Sequence, residues 1–410
     1  MEIRTWRQVN NSYDIINTEV FVERILRVNN KALYIKNIKI KSVRHLKNIF
    51  IDFKGNKGNI LILTGKNGSG KTSVLNAMKE YLALLADDVM TYYDEARDLE
   101  NRDISFEFNM TNDKINSSYN NGNLIFAFYS ADRAYKAILS KHVEAVKFNN
   151  AYGINEHPGT EFVKYLVDLK MKQALAAVKN NVERQLEILA WFDNFEGIMK
   201  CIYKDDSLEL IFDEDNFTFT IKVDGREPFD FNTMASGYAA IMDIVLDLMG
   251  RMHNGTSGTD FFDKSGIVLI DEIDAHLHLE LQRDIISILV SIFPNIQFVV
   301  STHSPYVLGN AEGAIIYDLE KQICVYDGLT DIPYDGIVKG YFESEVLSEQ
   351  LKSKFERYKE ITAKKELSDD DFEELAKLEI YLDEIPDYLA LGITTEYRRL
   401  KLEFENREDI

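Results

Sequence analysis

The sequence predicts an α/β fold built on a parallel sheet, on the strength of three apolar runs. Ile60–Leu63, Ile267–Ile270 and Phe298–Val300 are short and rich in Ile, Leu and Val, as strands buried on both faces are. Each run ends abruptly in polar residues: Gly65–Thr72, Asp271–Glu272 and Ser301–Pro305. In such sheets, polar residues at the carboxyl ends of strands are where ligands bind.

The first polar ending reads Gly65, Lys66, Asn67, Gly68, Ser69, Gly70, Lys71, Thr72, with Ser73 opening a helix-compatible run. It is a G-x-x-x-x-G-K-[ST] loop in its required context, strand before and helix after. Glycines let backbone N–H groups curl around phosphate oxygens, and the helix start adds partial positive charge. Lys71 is placed to reach the β- and γ-phosphates, and Thr72 to offer its hydroxyl to Mg²⁺. The loop implies a nucleoside triphosphate with magnesium. At the second ending, Asp271 would hold the metal through water and Glu272 would polarise an attacking water. His303, at the third, is placed to meet the γ-phosphate, although a lone histidine is more often structural. Ser236–Gly237 precedes the apolar stretch Ala239–Leu246; alone it is a plain helix start.

The order is what gives these pieces meaning: phosphate loop, Ser-Gly, Asp271–Glu272, Asp274, then Ser301–Pro305. It resembles the ABC-type ATPases, in the branch that holds RecF, SMC proteins and the OLD family. The runs IVLIDEIDAHLHLELQ and FPNIQFVVSTHSPYVL are similar to those of small ATPases in bacterial anti-phage systems of the Septu type, with PARIS-type systems also similar. The resemblance implies an ABC-type head of mixed or parallel sheet with flanking helices and a β-rich lobe. It implies a dimer of heads, or a higher even oligomer, in which Ser236 and Gly237 contact the γ-phosphate on the other subunit. Asp274 matches the aspartate at the dimer contact. Two departures stand out. The Ser-Gly motif is degenerate, reading MASG, and no glutamine follows the phosphate loop until Gln173. Arg133, after the run Ile125–Phe128, reads as a surface arginine, with a phosphate contact as the alternative. His276 and His278 do not face each other at i and i+2 on a helix, so capping or packing is favoured over metal.

Along the chain, residues 1–33 form an extension with an amphipathic piece at Val20–Leu26. Residues 34–158 carry the first part of the head, with a β-rich stretch over Ile104–Tyr129. From Gly159 the apolar spacing turns helical: Phe162, Leu166, Leu169, Leu175, Val178, Val182, Leu186 and Leu189. An unbroken helix of that length spans about 45 Å, far short of an SMC coiled coil. This insert covers 159–205, and the second part of the head covers 206–340. Residues 341–410 read as helices marked by Leu347–Tyr358, Phe372–Leu382 and Tyr397–Phe404. Ser368 with Asp371 makes a capping box, and Pro386 a break.

Composition narrows the function. Among 410 residues the net charge is −21, and the last 70 hold 11 basic and 20 acidic residues. An acidic chain is poorly suited to grip DNA alone. Lys36, Lys39, Lys41, Arg44 and Lys47 are a local exception, read as a solvated strand face that a dimer could pair into a modest DNA groove. Two cysteines, no long apolar run and the N-terminus MEIRTWRQVNNS point to a cytoplasmic protein without a membrane. The acidic tail is a lid over the sheet or a docking platform for a separate effector nuclease, plausibly an HNH enzyme, or a toxin. The expected function is thus the ATP-hydrolysing regulatory subunit of an anti-phage complex. The alternatives are a RecF-like DNA-binding ATPase and a scaffold caging a toxin. A self-contained OLD-type nuclease is disfavoured, because no strand-borne acid cluster follows Pro305.

Overall fold

The computed structural model describes residues 32–54, 60–86, 102–139, 142–253, 264–332, 334–337, 349–364, 366–383, 391–405 and 407. The amphipathic piece at Val20–Leu26, Leu347 and Pro386 lie outside them. The chain divides into two compact units, Met1–Tyr334 and Asp335–Ile410.

The first unit is organised by a six-stranded sheet. Its strands are β3 (Ile60–Thr64), β5 (Leu124–Tyr129), β8 (Ser265–Ile270), β9 (Ile296–Ser301), β10 (Ile315–Asp318) and β11 (Ile323–Val325). The order is β11-β10-β3-β9-β8-β5, parallel except for β11. Every residue of β3, β9 and β10 is buried, as a parallel sheet covered on both faces requires. The sheet positions Thr64, Asp271 and Thr302 together, since Leu63 pairs with Ser301 and Ile270 with Val300. Gly266 in β8 is required by close approach: a Cβ there would lie 2.0 Å from the Ile125 carbonyl oxygen.

A smaller antiparallel sheet, β2-β1-β4, forms the β-rich lobe from β1 (Ile35–Val43), β2 (Leu46–Asp52) and β4 (Ile104–Phe108). Its apolar face, with Ile38, Ile40, Ile49 and Ile51, shares one core with helix α1 (Lys71–Ala86). Gln297 of β9 ties the sheets together by accepting from the Ile35 N–H at 2.8 Å. The wet face carries Lys39 and Lys41. Lys36 lies 3.4 Å from Glu107, and Asn37 donates to the same carboxylate at 2.6 Å. The basic run is therefore partly neutralised by a neighbouring strand, a pairing that spacing along one strand does not reveal.

The stretch expected to be β-rich holds a helix, α2 (Asn112–Asn120), between β4 and β5. The insert is not one continuous helix either. It is a pair, α3 (Phe162–Val178) and α4 (Val182–Tyr203), packed on each other. The break falls at Asn180, with φ 54°, and Asn181, whose side chain caps the Arg184 N–H; asparagine tolerates both roles. Near the break, Leu175, Val178, Val182 and Leu186 are exposed. At the base of the pair, Trp191 sits among Phe162, Tyr165, Phe192 and Phe195. A separate hairpin, β6 (Glu209–Asp213) with β7 (Thr218–Lys222), leads to α5 (Ser236–Met252). Helix α6 (Leu279–Ile292) follows β8, and the short α7 (Pro305–Leu308) follows β9.

The second unit contains α8 (Glu349–Thr362), α9 (Asp369–Asp383) and α10 (Leu391–Glu405). Phe355, Tyr358, Leu375, Leu378, Leu382 and Tyr397 make its own core. The capping box is reciprocal: the Asp371 N–H donates to Ser368 Oγ at 3.2 Å, and the Ser368 N–H to Asp371 Oδ2 at 3.1 Å. Phe372, expected on the apolar stripe, is exposed. No helix among the described residues is long and apolar enough to cross a membrane.

Candidate functional site

The candidate site lies at the carboxyl edge of β3, β9 and β8. The phosphate loop leaves β3 and enters α1, with Gly65, Gly68 and Gly70 at φ 134°, 84° and 100°. These backbone conformations favour glycine. A Cβ on Gly70 would lie 2.8 Å from Leu46 Cδ1 at the start of β2. Lys71 Nζ donates to the Gly65 and Lys66 carbonyls at 2.7 and 3.1 Å, closing the loop into a ring. Burial lowers the Lys71 pKa, against the pull of Glu272, Asp271, Asp274 and Asp318. Ser69 Oγ is buried without a hydrogen-bond partner, whereas Lys66, Asn67, Gly68 and Thr72 are exposed. A buried orphan hydroxyl inside this glycine-rich loop fits a phosphate-bearing ligand.

Asp271 and Glu272 leave β8 next to the loop. Ser301 Oγ donates to Asp271 Oδ1 and accepts the Glu272 N–H at 2.7 Å. Glu272 has φ 45°, a left-handed conformation that costs a non-glycine residue about 1 kcal/mol or more. Asp274 is buried, accepts from Thr302 Oγ1, and lies 3.6 Å from the exposed His303 ring. These residues gather with Lys71 into one cluster. Gly237 lies elsewhere, at the start of α5, where a Cβ would come 3.1 Å from the His276 carbonyl oxygen. Ser236 is exposed beside it. His276 and His278 occupy the turn ahead of α6, not a helix: His276 has φ 65°, and His278 makes no side-chain capping bond.

Arg133 is not a surface residue. It is 5% exposed, and its guanidinium donates to four carbonyls: Ser130 at 2.9, Asp271 at 2.8, Glu272 at 2.8 and Ile273 at 2.9 Å. Burial lowers its pKa to about 10, leaving it charged at neutral pH. Behind it, the Tyr129 hydroxyl donates to Asp247 Oδ2 at 2.7 Å, and Arg251 Nε to the same oxygen at 2.8 Å. This buried network joins α5 to β5. Motif reading assigned no part to Ser301, Thr302 or Asp318. The signal was there: Ser301 and Thr302 lie in a polar strand ending, and Asp318 is an acid ending another apolar run.

Residues 143–309 match the family described as "AAA domain, putative AbiEii toxin, Type IV TA system". The Septu protein PtuA of Bacillus mycoides is 25% identical over 77% of this chain and 44% of its own length. The chain thus spans less than half of that relative. The retron Vc95 probable ATPase of Vibrio cholerae is 24% identical over 72% of this chain and 75% of its own. Among solved structures, an SMC head bound to the C-winged helix domain of ScpA is 16% identical, covering 73% of this chain and 100% of its own, with a TM-score of 0.39. In sequence, and in the order of its motifs, the chain is similar to the ABC-type ATPases of bacterial anti-phage systems.

Proposed function

We propose that the chain binds ATP with Mg²⁺ and hydrolyses it in a dimer of heads that regulates a separate effector of an anti-phage complex. One observation carries this reading. The phosphate loop, the Asp271–Glu272 pair and the Ser301–His303 segment converge at the ends of three adjacent parallel strands.

The loop amides from Gly65 to Ser73 cradle the phosphates, and the Lys71 ammonium exchanges its two carbonyl partners for phosphate oxygens. Thr72 and Asp271 would hold the magnesium, Asp271 through water. Magnesium, when bound, neutralises charge on the β- and γ-phosphate oxygens. The Glu272 carboxylate orients the attacking water and takes its proton as the bond from the γ-phosphorus to the ADP oxygen breaks, and His303, backed by Asp274, contacts the γ-phosphate and that water. Ser236, exposed at a helix start, and Gly237, buried beside it, supply the second head's contact to that phosphate, with Asp274 near the same contact. The names of the Septu and retron relatives support the setting, and an effector nuclease or toxin would dock on α8–α10.

Three variants test the reading. Lys71→Ala should abolish binding of a fluorescent ATP analogue. Glu272→Gln should bind it normally while turnover falls by about 10²-fold or more. Ser236→Arg should leave binding to the monomer intact and stop turnover. Near wild-type turnover in Glu272→Gln would remove that residue from its role, and in Ser236→Arg it would remove the cross-subunit site.

A further inference from the structure

The peptide groups on either side of Glu272 have every polar atom held. In the first, the Asp271 carbonyl accepts from Arg133 at 2.8 Å and the Glu272 N–H donates to Ser301 Oγ at 2.7 Å. In the second, the Glu272 carbonyl accepts from Arg133 at 2.8 Å and the Ile273 N–H donates to the Ser301 carbonyl at 2.9 Å. Two residues, Arg133 and Ser301, therefore fix the backbone on both sides of a carboxylate whose own φ is 45°. Fixing both peptides fixes the Cα–Cβ bond, and with it the point and direction from which the side chain sets out. A guanidinium suits the task because its rigid fork presents several in-plane donors at once. Arg133 is itself anchored: the Asp271 N–H donates to the Tyr129 carbonyl at 2.8 Å, so β5 delivers the arginine in register with β8.

We infer that Arg133 is a positioning residue for hydrolysis, clamping the Asp271–Ile273 turn so that Glu272 is aimed at the water that attacks ATP. This inference rests on the reading of Glu272 given above. Arg133 does not touch nucleotide; it acts through the turn. A lysine keeps the charge but loses the fork, which makes Arg133→Lys the informative variant, with Arg133→Gln beside it.

The test uses the full chain and three measurements: steady-state ATP turnover, binding of N-methylanthraniloyl-ATP, and hydrogen exchange of the peptide spanning Asp271–Leu277. Arg133→Lys should lower kcat by about 30-fold, in line with the cost of small misplacements of reacting groups. KM and nucleotide affinity should stay within about threefold. The 271–277 peptide should exchange faster than in the wild type, with the phosphate-loop peptide unchanged. In the Glu272→Gln background, Arg133→Lys should add little further loss, because a residue that acts through Glu272 has nothing left to aim. Unchanged exchange, unchanged kcat, or a full additive loss on Glu272→Gln would each overturn the inference. Wild-type binding without turnover would instead sink the hydrolase reading and the role in hydrolysis with it. The exchange comparison would still decide whether Arg133 holds the turn.

Discussion

Asp243 sits on α5 among charges of both signs. Burial and Asp247 push its carboxyl up to about 6, against the pull of His157 and Arg133. Its folded pKa is thus above the unfolded value near 4, so as pH rises the unfolded chain releases its proton first. Stability from this group is greatest below pH 4 and falls through pH 6, by about 3 kcal/mol in order of magnitude. His253 carries the opposite sign: burial, with Lys172 and Lys264, pulls it down to about 4. Its contribution rises between pH 4 and 6.5, so the two offset in the wild type. Asp243→Asn should therefore gain stability over the wild type progressively between pH 4 and 6.5, read by thermal melts across that range. A constant gap would refute the shift. The same buried charges mark the limit of what residues disclose by themselves. The phosphate loop is legible because its eight residues are contiguous. Arg133 and Ser301 act on a turn more than 130 and nearly 30 residues away, and only the order of strands brings them there.

At the level of elements, apolar periodicity locates helices better than it locates their buried faces. The three- and four-residue spacing from Phe162 to Leu189 runs straight through Asn180, where the chain turns back on itself. Helix α2 escaped notice because NDKINSSYN is polar, yet Ile115 and Tyr119, one helical turn apart, are its buried residues. The central strands were legible because burial on both faces leaves unbroken apolar runs. Which strand pairs with which was not, since pairing is set by tertiary packing. Gly266 measures how closely β8 and β5 fit. Gly266→Ala should destabilise the first unit by about 3 kcal/mol, the upper range for overpacking, lowering Tm by several degrees. An unchanged melt would mean that β5 yields freely.

On the scale of the molecule, the second unit has an apolar core of its own, centred on Tyr358 and Leu378, and it carries much of the negative charge. A chain ending at Tyr334 should bind the fluorescent ATP analogue as the full chain does, while losing capture of the proposed effector in a pull-down. Lost nucleotide binding would show that the tail supports the site. Trp191, packed among Phe162, Tyr165, Phe192 and Phe195 at the base of the helical pair, has one further use. The sequence holds only one other tryptophan, Trp6. With Trp6→Phe in place, ultraviolet emission comes from a single known position, and any movement of the insert becomes visible as a change of colour and intensity, with no dye attached.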